Sequence, residues 1–193
     1  TNFTIYDNSL VLMYNFDNIA AIGENSTLVI DVGSEKAFNL TGSGTPLPIV
    51  NDSGYYGRAR TYDGINDEFS MDSPITINNA YTVSAWARVY DNGLTRTVIA
   101  TRRSNRANFD FKFQGGNYIN GSIGTGGIGG TWLTTNAAAS FNYNLGVWYQ
   151  VVYAVNKTGY KIYIDGIQLG SGTWDSNIPQ FLGIDADLEI GGY

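Results

Sequence analysis

The sequence predicts an all-β protein built as an antiparallel sandwich of two sheets. Helix-forming material is scarce, because only four of the 193 residues are Glu and four are Lys. Strand formers are abundant, with 14 Tyr among them, and 24 Gly supply turn positions. Short apolar runs also recur at close spacing between turn residues, which is typical of sandwiches and barrels.

The first third of the chain predicts three short strands. Leu10–Phe16 is largely apolar and has strand propensity. Residues 18–48 are irregular in pattern, apart from a predicted strand at Thr27–Val32. Arg58–Tyr62 predicts a further strand that ends in an Asp63-Gly64 turn, where Gly suits a positive φ.

The segment Tyr81–Tyr90 alternates strictly between two kinds of side chain, which indicates a strand with one buried face. The uniformly apolar set should face the core, and it comprises Tyr81, Val83, Ala85, Ala87 and Val89. The large side chains of Trp86 and Trp148 are expected to anchor the core between the two sheets.

The second half of the chain predicts two strand pairs. Thr97–Thr101 should pair with Phe109–Phe113, and residues 114–130 should be a glycine-rich loop with weak strands. The clearest hairpin joins Trp148–Ala154 to Tyr160–Ile164, after which an Asp165-Gly166 turn leads into Ile167–Leu169. No internal repeat or linker divides the sequence, so residues 1–193 are predicted to form a single domain.

The composition excludes several functions. The chain has no Cys and no His, so disulfides, zinc, copper or haem held by thiolate or imidazole, and Ser-His-Asp or Cys-His catalysis are impossible within it. Any metal must be a hard ion held by oxygen, such as calcium or magnesium. The net charge of −6 argues against a nucleic-acid partner, and no apolar run is long enough to insert into a membrane.

The pattern Asn-x-Ser/Thr, the acceptor for N-linked glycans, occurs six times. The six acceptors are Asn2, Asn25, Asn39, Asn51, Asn120 and Asn156. This is about twice the roughly three sites expected by chance and predicts an extracellular or cell-surface protein. Accidental matches in an Asn- and Thr-rich surface are the alternative explanation.

Five segments in order resemble one family. They are Leu10-Val-Leu-Met-Tyr-Asn-Phe-Asp17, Gly57-Arg-Ala-Arg-Thr-Tyr-Asp-Gly-Ile-Asn-Asp67, Tyr81-Thr-Val-Ser-Ala-Trp-Ala-Arg88, Trp148-Tyr-Gln-Val-Val-Tyr with Lys161-Ile-Tyr-Ile-Asp-Gly166, and Leu188-Glu-Ile-Gly-Gly192. Together they resemble the laminin-G-like, concanavalin A-like jelly-roll domains, which implies a sandwich of two curved antiparallel sheets.

The resemblance also implies that a final strand is lacking after Tyr193. Three explanations stay open: the chain is an excerpt, the long N-terminal segment covers the exposed edge, or a neighbouring chain supplies the strand.

Many relatives hold one calcium ion, and the resemblance implies that Asp17 is its first ligand. Asp63, Asn66 and Asp67 form a second oxygen-rich group of the kind that calcium prefers. The alternative is that Asp17 and Asp63 only accept hydrogen bonds within their own turns.

A glycan site is expected where aromatic rings lie beside Asn side chains and Gly-rich backbone. The candidates are Asn117, Tyr118, Asn120, Trp132 and Trp174. Arg102 and Arg103, in a basic stretch that also holds Arg96 and Arg106, could bind acidic glycans. Packing of Trp132 on the sheet and a solvated basic hairpin tip are the corresponding alternatives.

One carboxylate series, Asp185, Asp187 and Glu189, echoes the catalytic signature of retaining glucanases that share the jelly roll. It lies in the stretch that resembles the non-catalytic Ile-Gly-Gly strand, so no catalytic residue is assigned. The sequence therefore predicts a non-enzymatic recognition or adhesion module that binds glycans or cell-surface proteins and is stabilised by calcium. A structural subunit of a cell-surface layer and a glycoside hydrolase or lyase are the two alternatives.

Overall fold

A computed structural model describes residues 9–33, 38–71, 80–91, 93–103, 106–124, 129–173 and 187–191, without the side chains of 102–103, 106–107 and 133–137. These residues fall into two units, Thr1–Met71 and Asp72–Tyr193. Within the described ranges the only helical element is a 3-10 turn at Ala20–Ile22, and the strand pairs are antiparallel. The all-β prediction is confirmed.

The first unit contains five short strands. They are β1 (Leu28–Val29), β2 (Leu40–Ser43), β3 (Ile49–Asn51), β4 (Ala59–Thr61) and β5 (Glu68–Met71). β2 pairs with both β1 and β5, while β3 and β4 form a separate pair. Val29, Leu40 and Phe69 are fully buried, and the Arg60 guanidinium lies 5.0 Å from the centroid of the Phe69 ring.

The predicted strand at Leu10–Phe16 is wrong, since this run joins no sheet ladder among the described residues. The backbone amide of Met13 donates instead to the buried carboxylate of Asp31, and its carbonyl accepts the amide of Val32. Phe16 and Asn18 have positive φ angles of 60° and 57°, which extended strand backbone cannot adopt. Strand propensity is overridden here by a side chain that pairs with the backbone.

The second unit contains nine strands. They are β6 (Tyr81–Arg88), β7 (Arg96–Arg103), β8 (Arg106–Gln114), β9 (Tyr118–Gly124), β10 (Trp132–Ser140), β11 (Trp148–Asn156), β12 (Gly159–Ile164), β13 (Ile167–Thr173) and β14 (Leu188–Ile190). Five of them run in the order β14-β7-β8-β9-β10, and four in the order β13-β12-β11-β6. We call these the five-stranded and four-stranded layers.

The two layers of the second unit enclose one aromatic core. Phe109 and Phe111 of β8 stack on Tyr153 of β11, with ring centroids 6.0 and 5.4 Å apart. Gly121 of β9 makes room for this ring, because a Cβ there would lie 2.4 Å from the Tyr153 ring. Since both layers contribute to this buried cluster, the second unit is a β-sandwich.

The predicted hairpins of the second unit are confirmed. β7 pairs with β8, and β11 pairs with β12. Asp165 and Gly166 both have positive φ, 49° and 79°, in the tight turn before β13. Residues 114–130 were expected to be a loop with weak strands, and their middle part is more regular than that, because β9 is a full strand whose Ile119 and Ile123 are buried.

Candidate functional site

The outward side of the five-stranded layer carries an almost uniformly polar set of side chains. In β8, Phe109, Phe111 and Phe113 are buried in the core, so the residues between them point the other way. We define the polar face as the outward side chains Asp110, Lys112 and Gln114 of β8 with Tyr118, Asn120 and Ser122 of β9.

Strand register arranges the polar face in three cross-strand pairs. Asp110 lies opposite Ser122, Lys112 opposite Asn120, and Gln114 opposite Tyr118. The neighbouring strands place small residues alongside, since Ala100 of β7 lies opposite Asp110 and Ala138 of β10 lies opposite Asn120. Glu189 of β14 lies opposite Ala100, so its carboxylate is carried on the same side of the layer.

The groups on the polar face are held in fixed positions. Lys112 Nζ lies 2.7 Å from Asp110 Oδ2, and the Ser122 hydroxyl donates to Asn120 Oδ1 at 3.1 Å. Asp110, Asn120 and Ser122 are 5% exposed or less, whereas Tyr118 is 44% exposed. The face therefore combines three buried polar side chains with the accessible Gln114 and Tyr118 at its end.

Tyr118 owes its position to the turn before it. Gly116 and Asn117 have positive φ angles of 88° and 65°, which reverse the chain between β8 and β9. A Cβ on Gly116 would lie 3.7 Å from the Tyr118 ring, so the ring lies beside a residue without a side chain. The Asn117 carbonyl accepts the amide of Phe141, which ties this turn to the chain after β10.

The structure brings together only some of the predicted glycan ligands. Tyr118 and Asn120 share the polar face, but Trp132 lies opposite Gly124, at the other end of β9. Six residues of strand separate Tyr118 from Gly124, about 20 Å, so Tyr118 and Trp132 cannot stack on the same sugar ring. Trp174 and the side chains of Arg102 and Arg103 lie outside the described part of the chain.

The outward side of the four-stranded layer carries a second group. Trp86 and Trp148 were expected in the core, and this expectation is wrong. Alternation along β6 buries the apolar set instead, and Trp148 lies opposite Arg88 on the outward side. The Arg88 guanidinium carbon lies 4.7 Å from the centroid of the Trp148 ring and 5.1 Å from that of Tyr90. We call these three residues the Arg88 cluster.

The predicted calcium ligands of the first unit make a hydrogen-bonded acidic turn. The amide of Asp63 donates to both carboxylate oxygens of Asp67, at 2.9 and 3.0 Å. Asp63 Oδ1 accepts the amide of Ile65 at 2.8 Å, within its own turn. Asn66 Oδ1 accepts the amide of Thr45.

The two carboxyl groups of this turn titrate differently. Burial raises the pKa of Asp67, while the amide of Ile65 and a hydrogen bond with Asp67 lower the pKa of Asp63. The turn therefore holds two neighbouring carboxyl groups whose pKa values are pushed apart.

Asp17 belongs to no three-carboxylate group among the residues that the structure describes. Its Oδ1 accepts the amide of Arg58, 41 residues away, at 2.7 Å, so it braces a distant loop and not its own turn. Among the described residues no three acidic side chains gather closely enough to hold a metal ion. Carboxylate and amide oxygens are ligands that calcium prefers, but the described ones do not form a complete calcium site. Calcium binding therefore stays a prediction.

The predicted glycan acceptors differ in accessibility. Asn25, Asn39 and Asn156 are exposed and Asn51 is half-buried, while Asn2 lies outside the described residues. Asn120 is buried on the polar face at 5% exposure. Because a glycan needs an accessible amide nitrogen, this burial argues against Asn120 as an acceptor, and glycosylation at the six positions stays a prediction.

Sequence reasoning missed the ion pair of the polar face and the Arg88 cluster. The alternation Asn108-Phe-Asp-Phe-Lys-Phe-Gln114 was a usable signal, since it separates three buried rings from a polar set. Of the carboxylate series, Asp185 lies outside the described residues, Asp187 precedes β14 and Glu189 lies within it.

A family model described as the concanavalin A-like lectin/glucanases superfamily matches residues 63–192, two thirds of the chain. The chain belongs to this superfamily. Comparison with curated proteins gives no match. Within the described ranges, no helix has the length and hydropathy required to cross a bilayer.

Solved structures with the superfamily fold cover nearly all of the chain. One is botulinum neurotoxin type C, whose cell entry depends on interaction with two ganglioside molecules (14% identity, TM-score 0.58, 96% of this chain and 44% of that one). Another is the binding domain of botulinum neurotoxin DC in complex with rat synaptotagmin II (12% identity, TM-score 0.56, 94% of this chain and 46% of that one). This chain spans less than half the length of those toxin chains.

A third similar structure matches over almost its full length. It is domain 4 of AbnA, a GH43 extracellular arabinanase from Geobacillus stearothermophilus, in complex with arabinotriose. Identity is 19%, the TM-score is 0.54, and the match covers 95% of this chain and 92% of that one. At these identities the likeness concerns the fold.

Proposed function

We propose that the chain is a non-catalytic extracellular module that binds carbohydrate through the polar face. The observation that carries the proposal is the register of β8 and β9, which places an ion pair, an amide, a hydroxyl and the exposed Tyr118 ring on one side of a sheet. Sugars are bound by this combination, because their hydroxyls need fixed donors and acceptors and their apolar faces stack on aromatic rings.

The comparisons support a saccharide as the ligand. Domain 4 of the arabinanase, which has the same fold and nearly the same extent, holds arabinotriose, and the type C toxin depends on gangliosides. The toxin complex with synaptotagmin II supports a protein partner as the competing possibility. The exposed sequons at Asn25, Asn39 and Asn156 support an extracellular location.

A glycan array followed by calorimetry on its hits tests the proposal. Tyr118→Ala should weaken binding of the best neutral oligosaccharide at least tenfold, about 1.4 kcal/mol, because the stacking ring is lost. Tyr118→Phe should retain most of the affinity. Tyr56→Ala, which removes another exposed tyrosine in the first unit, should bind as the wild type.

Two results would overturn the proposal. If wild type and Tyr118→Ala bound the neutral oligosaccharide with equal affinity, the polar face would be excluded as the binding site. Release of reducing ends from a bound oligosaccharide would overturn the non-catalytic part and favour the hydrolase alternative, with Asp110 and Glu189 as the carboxylates to replace first.

A further inference from the structure

The Arg88 cluster places a guanidinium group close to two aromatic rings on the outward side of the four-stranded layer. Arg88 lies opposite Trp148 in the pairing of β6 with β11, and Tyr90 follows two residues later. The guanidinium carbon is within 5.1 Å of both ring centroids, a distance at which cation–π attraction orients the group. Tyr90 is 60% exposed, so the cluster is open to solvent on that side.

Arg88 differs from the other arginines whose side chains the structure describes. Arg58 pairs with Asp52, Arg96 pairs with Asp91, and Arg60 donates to Asn18 Oδ1 and to the Asn25 carbonyl. Among the described residues, the guanidinium of Arg88 has ring contacts and neither a hydrogen-bond nor an ion-pair partner.

This arrangement leaves a fork of N–H donors for which the described part of the chain supplies no acceptor. Both rings lie near the guanidinium carbon, and the N–H donors of the group lie in its plane as a fork. Such a fork matches the two oxygens of a carboxylate or of a sulfate group. In a chain of net charge −6, a guanidinium without a carboxylate partner among the described residues is not part of a general basic surface, and its donors suit an anionic ligand.

We propose that the Arg88 cluster is a second binding site, selective for anionic saccharides that carry carboxylate or sulfate groups. Arg88 binds the anionic group, and the exposed ring of Tyr90 contacts the apolar face of the sugar that carries it. The site extends the proposed carbohydrate-binding function to charged glycans. It uses none of the residues of the polar face.

Titration with three oligosaccharides of equal length tests the site, using a uronate oligomer, a sulfated oligomer and a neutral oligomer in 50 mM NaCl. Arg88→Gln should weaken binding of at least one anionic probe tenfold or more and leave the neutral probe unaffected. Arg88→Lys should restore only part of the affinity, because it keeps the charge and loses the fork. Comparison of the two anionic probes assigns the group to carboxylate or to sulfate.

Controls separate this site from the proposed function. At the Arg88 cluster, Tyr118→Ala should bind the anionic probes with the wild-type affinity. Arg58→Gln removes a different surface arginine and should also leave this affinity unchanged. Circular dichroism and the melting temperature establish that Arg88→Gln is folded. Failure of the wild type to bind either anionic probe, or equal binding by Arg88→Gln and wild type, would overturn the second site without affecting the polar face.

Discussion

At the scale of single residues, the acidic turn couples two carboxyl groups whose pKa values move in opposite directions. Burial disfavours the charged form of Asp67, so stability should rise as pH falls through its raised pKa. Asp63 acts in the opposite sense, and its contribution is lost only at lower pH, as pH falls through its lowered pKa. Between neutral pH and about pH 4, the Asp67 effect should dominate.

Asp67→Asn should therefore raise the melting temperature at pH 7 in a chelator. Asn has no charge to desolvate, and its Oδ1 can still accept the amide of Asp63. The difference from wild type should shrink as pH falls toward 4, which thermal melts at pH steps would measure. Excess calcium should raise the melting temperature of the wild type and not of Asp67→Asn, if the predicted ion uses this turn.

Asp52→Asn is the matched control, because it changes an exposed carboxylate outside the turn. Identical wild-type melts in calcium and in chelator would contradict the calcium prediction. A lower melting temperature for Asp67→Asn than for wild type in chelator would contradict the electrostatic account of the turn.

At the scale of elements, alternation was the signal that the sequence carried best. Tyr81–Tyr90 and Phe109–Phe113 alternate cleanly, so both strands and their buried faces were predictable. The same alternation assigned Trp86 to the outward side, but its size suggested a core anchor, and the period proved the better guide. The irregular course of Leu10–Phe16 could not be predicted, because it depends on a tertiary contact. The backbone amide of Met13 donates to the buried carboxylate of Asp31, which lies 18 residues away in the sequence.

The candidate site was predictable only within one strand. Tyr118 and Asn120 are two residues apart, so a strand necessarily puts them on one side. The partners Asp110 and Lys112 come from β8, and Arg88 meets Trp148 across 60 residues of sequence. Such contacts between strands depend on the pairing register of the strands, which a single sequence does not specify.

The pairing of β12 with β13 depends on a glycine. A Cβ on Gly159 would lie 2.1 Å from the Gly172 carbonyl oxygen, a backbone atom that cannot rotate away. Gly159→Ala should force the strands apart at this end and destabilise the fold by about 1–3 kcal/mol. Hydrogen exchange should show faster exchange in β13 near Thr173, while the β6–β11 pairing stays protected.

Gly93→Ala provides the comparison for this prediction. Its added Cβ would approach only the flexible Asp91 side chain, at 3.3 Å, so the change should stay within about 0.5 kcal/mol. Uniform loss of protection across both layers in Gly159→Ala would argue that β12 and β13 cannot separate locally.

At the scale of the whole molecule, the chain combines an absence of His and Cys with 14 tyrosines. Apart from the amino terminus, no ordinary group titrates between pH 6 and 9. Burial raises the pKa of Tyr14, Tyr62, Tyr81 and Tyr153. Their hydroxyls therefore stay protonated in the fold at pH values where the unfolded chain ionises.

The free energy of unfolding should thus be flat from pH 6 to 9 and fall steeply above about pH 10. A raised folded-state pKa means that the native state binds more protons, so its stability is lost as pH rises. The slope should be about 1.4 kcal/mol per pH unit for each tyrosine that ionises only on unfolding. Urea midpoints from pH 6 to 11.5, with phenolate absorbance at 295 nm, would measure both quantities.

Two substitutions make this prediction specific to buried tyrosines. Tyr153→Phe removes a fully buried hydroxyl that has no partner among the described residues, so it should reduce the slope by one proton without loss of stability at pH 7. Tyr118→Phe, which changes a tyrosine that is 44% exposed, is the control variant. Phenolate absorbance that develops fully near pH 10 while the protein remains folded would contradict the argument, because it would mean that solvent reaches these hydroxyls in the native state.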